Sequence, residues 1–322
     1  MAIRPGLNEF VSMAAGALIM LVLVVVALYL DKERNPAAQV AFKAKRVELV
    51  TRMRLDLALA AEAEKSAVMA TTDRDSQTFA DQARAATAAV ERGRKELEGL
   101  LNAGGAKSEE GLLARFSEAF ADSQRVDKGL LELAVQNTNL KAYGLAYGPA
   151  AEALKEMDAA LSRIVVESAN SGALARPSFT STDAMQVIQL ASDCRIGALR
   201  IQTLLPPHIA EESGQKMDEL EALMTKEDGE VRRDLESLAA LLKSSGNPDI
   251  ETARLEYAKF SEITTEVIKL SRENTNVRSL AISLNRKRTM MLMCQDALAA
   301  LEQAIQQEPI AGVANGNPAY PR

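Results

Sequence analysis

"VQNTNLKAYGLA" occupies Val135–Ala146, and "RENTNVRSLAIS" occupies Arg272–Ser283. Each carries Asn-Thr-Asn followed by an apolar residue, a base and a small residue, and the two motifs lie 137 residues apart. Carried onward, that offset sets Ala160 on Ala297 and Leu161 on Leu298. Near an earlier helix corner an offset of 135 sets Lys65 on Arg200 and Thr71 on Pro206. One loop of slightly different length absorbs the discrepancy. The repeated motif therefore reads as the mark of a duplication that spans most of the chain.

The helical character of both copies follows from composition and periodicity. Aromatic residues make up 4% of the 322 residues, Trp is absent, and Gly and Pro are sparse. Ala, Leu, Glu, Lys, Gln and Met dominate, the residues that lose least on entering a helix. In the first copy, Phe79, Ala83, Ala86, Val90 and Leu97 keep bundle-seam spacing on the second helix, and Phe116, Phe120 and Leu130 mark the third. In the second copy, Val187, Leu190, Cys194, Ala198, Ile201 and Leu205 form a seam. Seams through Met217–Leu242, Ile250–Leu270 and Met291–Ile305 follow. Pro149 marks a kink or a late start of the first copy's fourth helix. Four antiparallel helices are what amphipathic segments of this length need to close a core.

Ahead of the copies, "FVSMAAGALIMLVLVVVALYL" at residues 10–30 carries no charge. It is long enough to cross a hydrocarbon layer of about 30 Å. A cleaved leader has a shorter apolar region and a small-residue cleavage pattern, so the segment is expected to be an uncleaved transmembrane anchor. The expected class is thus all-α: an N-terminal transmembrane helix followed by two tandem antiparallel four-helix bundles. The expected divisions are a short segment at 1–9, the anchor at 10–30, bundle 1 at 38–169, a linker at 170–182, bundle 2 at 183–306 and a disordered tail at 307–322.

Several function classes are disfavoured. A formal charge of −6 and a pI near 5.2 argue against nucleic acid as a partner. A single His and no C-x-x-C spacing leave no metal or haem signature. No nucleophile–base pair or carboxylate dyad stands out, so neither catalysis nor a cofactor is expected.

The stretches "AEKSAVMATTDRDSQTFADQA" (63–83), "NTNLKAYGLAYGPAAEALKEMDAAL" (137–161) and "NTNVRSLAISLNRKRTMMLMCQDALAAL" (274–301) resemble the four-helix-bundle sensor domain of methyl-accepting chemotaxis proteins. The resemblance covers both copies, about residues 38–306. It implies a single-pass protein of the inner membrane with periplasmic bundles that bind a small solute such as an amino acid or carboxylate. Charge counting alone points the other way, because the bases Lys32, Arg34, Lys43, Lys45 and Arg46 follow the anchor. In aspartate-type receptors of that family, bases on the first helix grip the ligand carboxylate. Lys65 stands as one such base, Met69 occupies the place of a second, and Arg200 matches Lys65 in the second copy. After Ile305 no second membrane helix, relay segment or signalling coiled coil follows, so a protein partner is expected to carry any output. The functional alternative is a structural or accessory subunit of a larger membrane complex, with the bundles as docking spacers.

Three further expectations concern particular residues. Asn137, Thr138, Asn139, Asn274, Thr275 and Asn276 are expected to cap the fourth helix of each copy by accepting from its free N–H groups. Cys194 and Cys294 fall level if the fifth and eighth helices are antiparallel neighbours, which would permit a disulfide in an oxidising compartment. His208, after Pro206-Pro207, reads as a loop or cap residue. Two similar bundles in one chain also suggest an intramolecular pseudo-dimer in place of a homodimer.

Overall fold

The computed structural model describes residues 36–104, 107–173, 180–242 and 247–310, and among these every regular element is helical. The proposed anchor at 10–30 and most of the proposed tail lie outside the described residues. No described helix is long and apolar enough to cross a membrane.

The helices are α1 (Pro36–Met69), α2 (Asp73–Gly104), α3 (Lys107–Ala134), α4 (Thr138–Leu145), α5 (Ala151–Ala173), α6 (Ser181–Ala210), α7 (Gly214–Leu242), α8 (Pro248–Glu273), α9 (Thr275–Ile282) and α10 (Arg288–Gln307). A π-helical turn at Ala146–Ala150 joins α4 to α5, and a second at Ser283–Lys287 joins α9 to α10. Local chemistry sets the starts. Thr72 Oγ1 accepts from the Asp75 amide at 3.0 Å, and Asp73 and Asp75 supply negative charge to the first turn of α2. Thr180 and Asp183 close a reciprocal capping box on α6. Asn247 caps α8 through the Asp249 amide, with Pro248 at the first helical position. Pro149 neither stops nor delays its helix: it sits within the first π turn, where the i−4 ladder is already interrupted.

The chain divides into two compact units, and the division differs from the expected one. The first unit takes 36–62 of α1, 83–104 of α2, 107–124 of α3 and, from the far end of the sequence, α10 from residue 289. Its core joins Leu49, Met53 and Leu57 to Val90, Leu97 and Leu101, to Leu113, Phe116 and Phe120, and to Cys294, Leu298 and Ile305. The Phe116 and Phe120 rings stack at 5.3 Å. Arg46, 2% exposed, is held by Glu109 at 2.5 Å and by Glu308, and lies over the Phe42 ring at 4.6 Å. Lys43 donates to the carbonyls of Gln306 and Glu308, closing the C-terminal end of α10.

The second unit holds α4 to α9 with both π turns, together with 63–69 of α1, 73–82 of α2 and 125–134 of α3. Its core packs Ala142, Ala146, Ala150, Ala153, Met157 and Ile164 against α6, α7 and α8. The fourth helix of the first copy (α4–α5) thus completes the core of the second copy's helices, and α10 completes the core of the first copy's. The boundaries 38–169 and 183–306 are corrected accordingly. The reason lies in side-chain volume. The α4–α5 face is rich in Ala and suits α8, which carries the bulky Tyr257 and Phe260. The larger Met291, Leu298, Leu301 and Ile305 of α10 fill the first core.

This exchange also overturns the proposed disulfide. Cys194 is buried against α7, its Sγ 3.9 Å from the Val231 carbonyl oxygen, and belongs to the second core. Cys294 belongs to the first core, and both are free thiols. The expected register failed because Cys194 packs in the core of the second unit and Cys294 in that of the first. Burial pushes the Cys194 thiol up to about 12, as suits a small packing group rather than a reactive one.

Candidate functional site

The two Asn-Thr-Asn motifs meet inside the second unit. Asn137 and Asn274 both take left-handed backbone angles, φ 52° and 53°, a region that Asn tolerates better than other residues bearing a Cβ. Each turn starts a helix, yet neither motif caps its own. The Thr138 amide donates to Thr275 Oγ1 and the Thr275 amide to Thr138 Oγ1, both at 3.1 Å. The Asn139 amide donates to Asn276 Oδ1 and the Asn276 amide to Asn139 Oδ1, both at 3.2 Å. The two Thr hydroxyls bond each other at 3.1 Å. Asn139 Nδ2 donates to Asn274 Oδ1 at 2.8 Å, and Asn276 Nδ2 donates to Asn137 Oδ1 at 3.0 Å. The capping chemistry is the expected kind, but it is exchanged: each motif serves the helix that the other begins.

Directly after each of α4 and α9 lies a π turn, and the second of these places two polar side chains in the interior. Ser283 donates to Glu64 Oε1 at 2.6 Å, and Lys287 Nζ reaches Asp127 Oδ2 at 2.5 Å. Glu64 is 2% exposed and Lys287 4%. Burial pushes the Glu64 carboxyl above its ordinary range, against the opposing pulls of Ser283 and Lys287. Burial likewise raises Asp127, outweighing the ammonium beside it. Asp127 Oδ1 is buried without a hydrogen-bond partner. Two carboxylates and one ammonium thus lie in the interior, coupled electrostatically, with one carboxylate oxygen unmet.

His208 is also buried, in the last turn of α6 rather than in a loop, since α6 continues through Pro206 and Pro207. The Ser271 hydroxyl donates to the His208 carbonyl at 2.9 Å and lies 2.8 Å from His208 Nδ1. Nε2 meets Glu221 Oε1 at 2.7 Å. Arg272 also grips Glu221, at 2.6 Å, and holds its carboxyl below the usual range, with His208 adding to the effect.

The bases expected to hold a carboxylate are placed differently. Lys65 is exposed on α1. Arg200 is exposed on α6 and makes a long pair with Glu227 at 3.4 Å. Neither is buried with the cluster, and neither lines the recesses at Arg232–Tyr257, Thr264 or Ala119. Sequence reasoning missed Glu64, Asp127 and Lys287. A signal for two of them was present: Glu64 stands between the buried Ala60 and Ala67, and Asp127 follows the buried Phe120 and Ser123 and precedes the buried Leu130, both at helical spacing. No group of three or more His, Cys, Asp or Glu among the described residues is arranged to hold a metal ion. Comparison with family models, with curated proteins and with solved structures gave no match.

Proposed function

We propose that this chain is a membrane-anchored, chemoreceptor-like sensor module that binds a small solute and works with a partner protein. The anchor at 10–30 would hold it in the inner membrane with its helical units on the periplasmic side. The observation that carries the reading is the buried polar set beside the exchanged motifs: Glu64, Asp127, Lys287 and Ser283. A bundle that serves only as a spacer is more stable with apolar groups at such positions, because desolvating charges commonly costs more than their pairing returns. Retaining them fits a core whose arrangement has to respond to something. The reciprocal Asn-Thr-Asn junction further supports reading the chain as its own pseudo-dimer.

A thermal-shift screen of the full chain against amino acids and carboxylates tests this. A true ligand at 100 times its Kd adds about 2.7 kcal/mol of stability. Absence of any stabilising solute, together with co-purification of a large membrane complex, would favour the accessory-subunit reading. That second reading has one observation of its own. A recess of about 500 Å³ in the first unit has an apolar floor of Leu112, Ala119, Met293, Ala297 and Ala300 with Arg115, Glu118, Asp122 and Asp296 also on its lining, a mixed surface on which an amphipathic partner helix would fit. Replacing Lys65 and Arg200 together should abolish carboxylate binding if those bases hold the ligand, and should leave docking unchanged.

A further inference from the structure

Position 127 and position 264 are separated by the same 137 residues that separate the two motifs, and both carry a buried oxygen without a partner. In the second copy this oxygen is Thr264 Oγ1 on α8. Its helical neighbours behave differently. Thr225 Oγ1 donates to the Glu221 carbonyl at 2.8 Å, and Thr265 Oγ1 donates to the Ser261 carbonyl at 3.0 Å. Thr264 makes no such bond, although it is only 8% exposed. Unmet buried hydroxyls are uncommon in folded proteins and call for a specific cause.

Thr264 lines a recess of about 140 Å³ between α6, α7 and α8. One wall is apolar, formed by Ile201, Met224 and Phe260. The opposite wall carries Asp228 and Ser261. Asp228 accepts from Tyr257 at 2.9 Å and from Ser261 at 3.3 Å, while Arg232 is spent on Asp228 and Ser261 at 2.8 and 2.7 Å. The one charged side chain on the lining is thus a carboxylate already paired with Arg232, and no base lines the recess to receive an anion. The burial of both Glu64 and Ile201, with Leu199 exposed, sets the offset here at 137 rather than the 135 expected near Lys65; Glu64 thus stands in the place of Ile201 and Lys287 in that of Ala150, and there charged side chains occupy the interior.

We propose that this recess binds a small amphiphile of about five non-hydrogen atoms, with a short apolar body and an uncharged or cationic hydrogen-bond-donating head that Thr264 Oγ1 accepts. The head lies beside Asp228, and the apolar body lies against Met224 and Phe260. The assignment deepens the sensor reading and rests on it. It also departs from the carboxylate expected of Lys65 and Arg200, because this lining selects against an anion.

Isothermal titration of the full chain with isobutanol, isobutylamine and isobutyrate tests the assignment, since the three share one body and differ in the head. Saturable binding of the alcohol or the amine is expected, with isobutyrate at least tenfold weaker. Which of the first two binds tells a neutral head from a cationic one. Thr264→Val removes the hydroxyl at equal volume and should weaken binding about three- to tenfold, without lowering the melting temperature. Thr264→Met fills the recess and should abolish binding. Failure of all three compounds to saturate, binding of isobutyrate as tight as the others, or undiminished affinity in both variants would each overturn the site. A solute from the wider screen that stabilises wild type and both variants alike removes this site and leaves the sensor reading standing.

Discussion

Two places in the second unit, related by one offset, have been filled in opposite ways. At one place Glu64 and Asp127 of the first copy and Lys287 of the second bring charge into the interior, and Ser283 donates to one of the carboxylates. At the other, Ile201 and Thr264 of the second copy and Ala150 of the first hold the corresponding positions, and a recess opens beside the unpartnered Thr264 hydroxyl. Both copies share the left-handed Asn and the π turn that follows the short helix. Shared backbone turns therefore coexist with different side chains. Each place keeps one unmet oxygen, Asp127 Oδ1 among charged groups and Thr264 Oγ1 beside a recess.

The strongest way to break this comparison is to remove the cation on the charged side. Lys287→Met strands Asp127 and Glu64 in the interior, and chemical denaturation should show a loss of about 3–5 kcal/mol. Asp127→Asn on that background should restore part of it. Loss below about 1 kcal/mol would mean that the cluster is solvated. Next in size is the junction. Thr138→Val and Thr275→Val each remove one cap and should each cost about 1–2 kcal/mol. Because the two hydroxyls also bond each other, the double variant should cost less than the sum. Unequal single losses would measure how far the junction departs from two-fold equivalence.

A smaller effect is expected in the pH dependence. The Glu64 carboxyl is raised in the folded chain above its ordinary 4.5, so the folded state holds its proton longer than the unfolded state. Stability then falls as pH climbs from the unfolded value through the folded one, the reverse of a salt-bridged acid. Glu64→Gln should flatten that fall, and equilibrium unfolding between pH 4 and 8 measures it. Glu221 is lowered instead, mainly by Arg272, and should contribute stability that disappears as pH drops through its folded value. Least of all, Arg200→Ala should change stability within about 0.5 kcal/mol, since its partner is distant and its side chain exposed.

Much of the fold was legible in the sequence because helix seams report burial directly. Val187, Cys194, Ile201 and Leu205 are all buried, as their spacing demanded. The Asn-Thr-Asn stretches do begin helices, at Thr138 and Thr275. The exchange of fourth helices was not legible. A seam states that a face is apolar, and says nothing about which other face it meets. Tandem and exchanged arrangements therefore share one periodic pattern. The distinction lies in volumes, such as the small Ala142 and Ala150 against the bulky Tyr257 and Phe260, and pattern reading sorts only apolar from polar. His208 was misplaced for a related reason. Two prolines normally end a helix, but here the ring between Ser271 and Glu221 holds the last turn in place.

The return of α10 to α1 has a consequence for how the chain is made. Lys43 finds its acceptors 263 and 265 residues later, at Gln306 and Glu308. At synthesis rates of roughly 5–20 residues per second, the first helices wait on the order of tens of seconds for the strand of sequence that closes their core. Throughout that interval Phe116 and Phe120 have no α10 to cover them. Helices made well before α10 are thus finished only once it arrives, and until then their apolar face needs shelter.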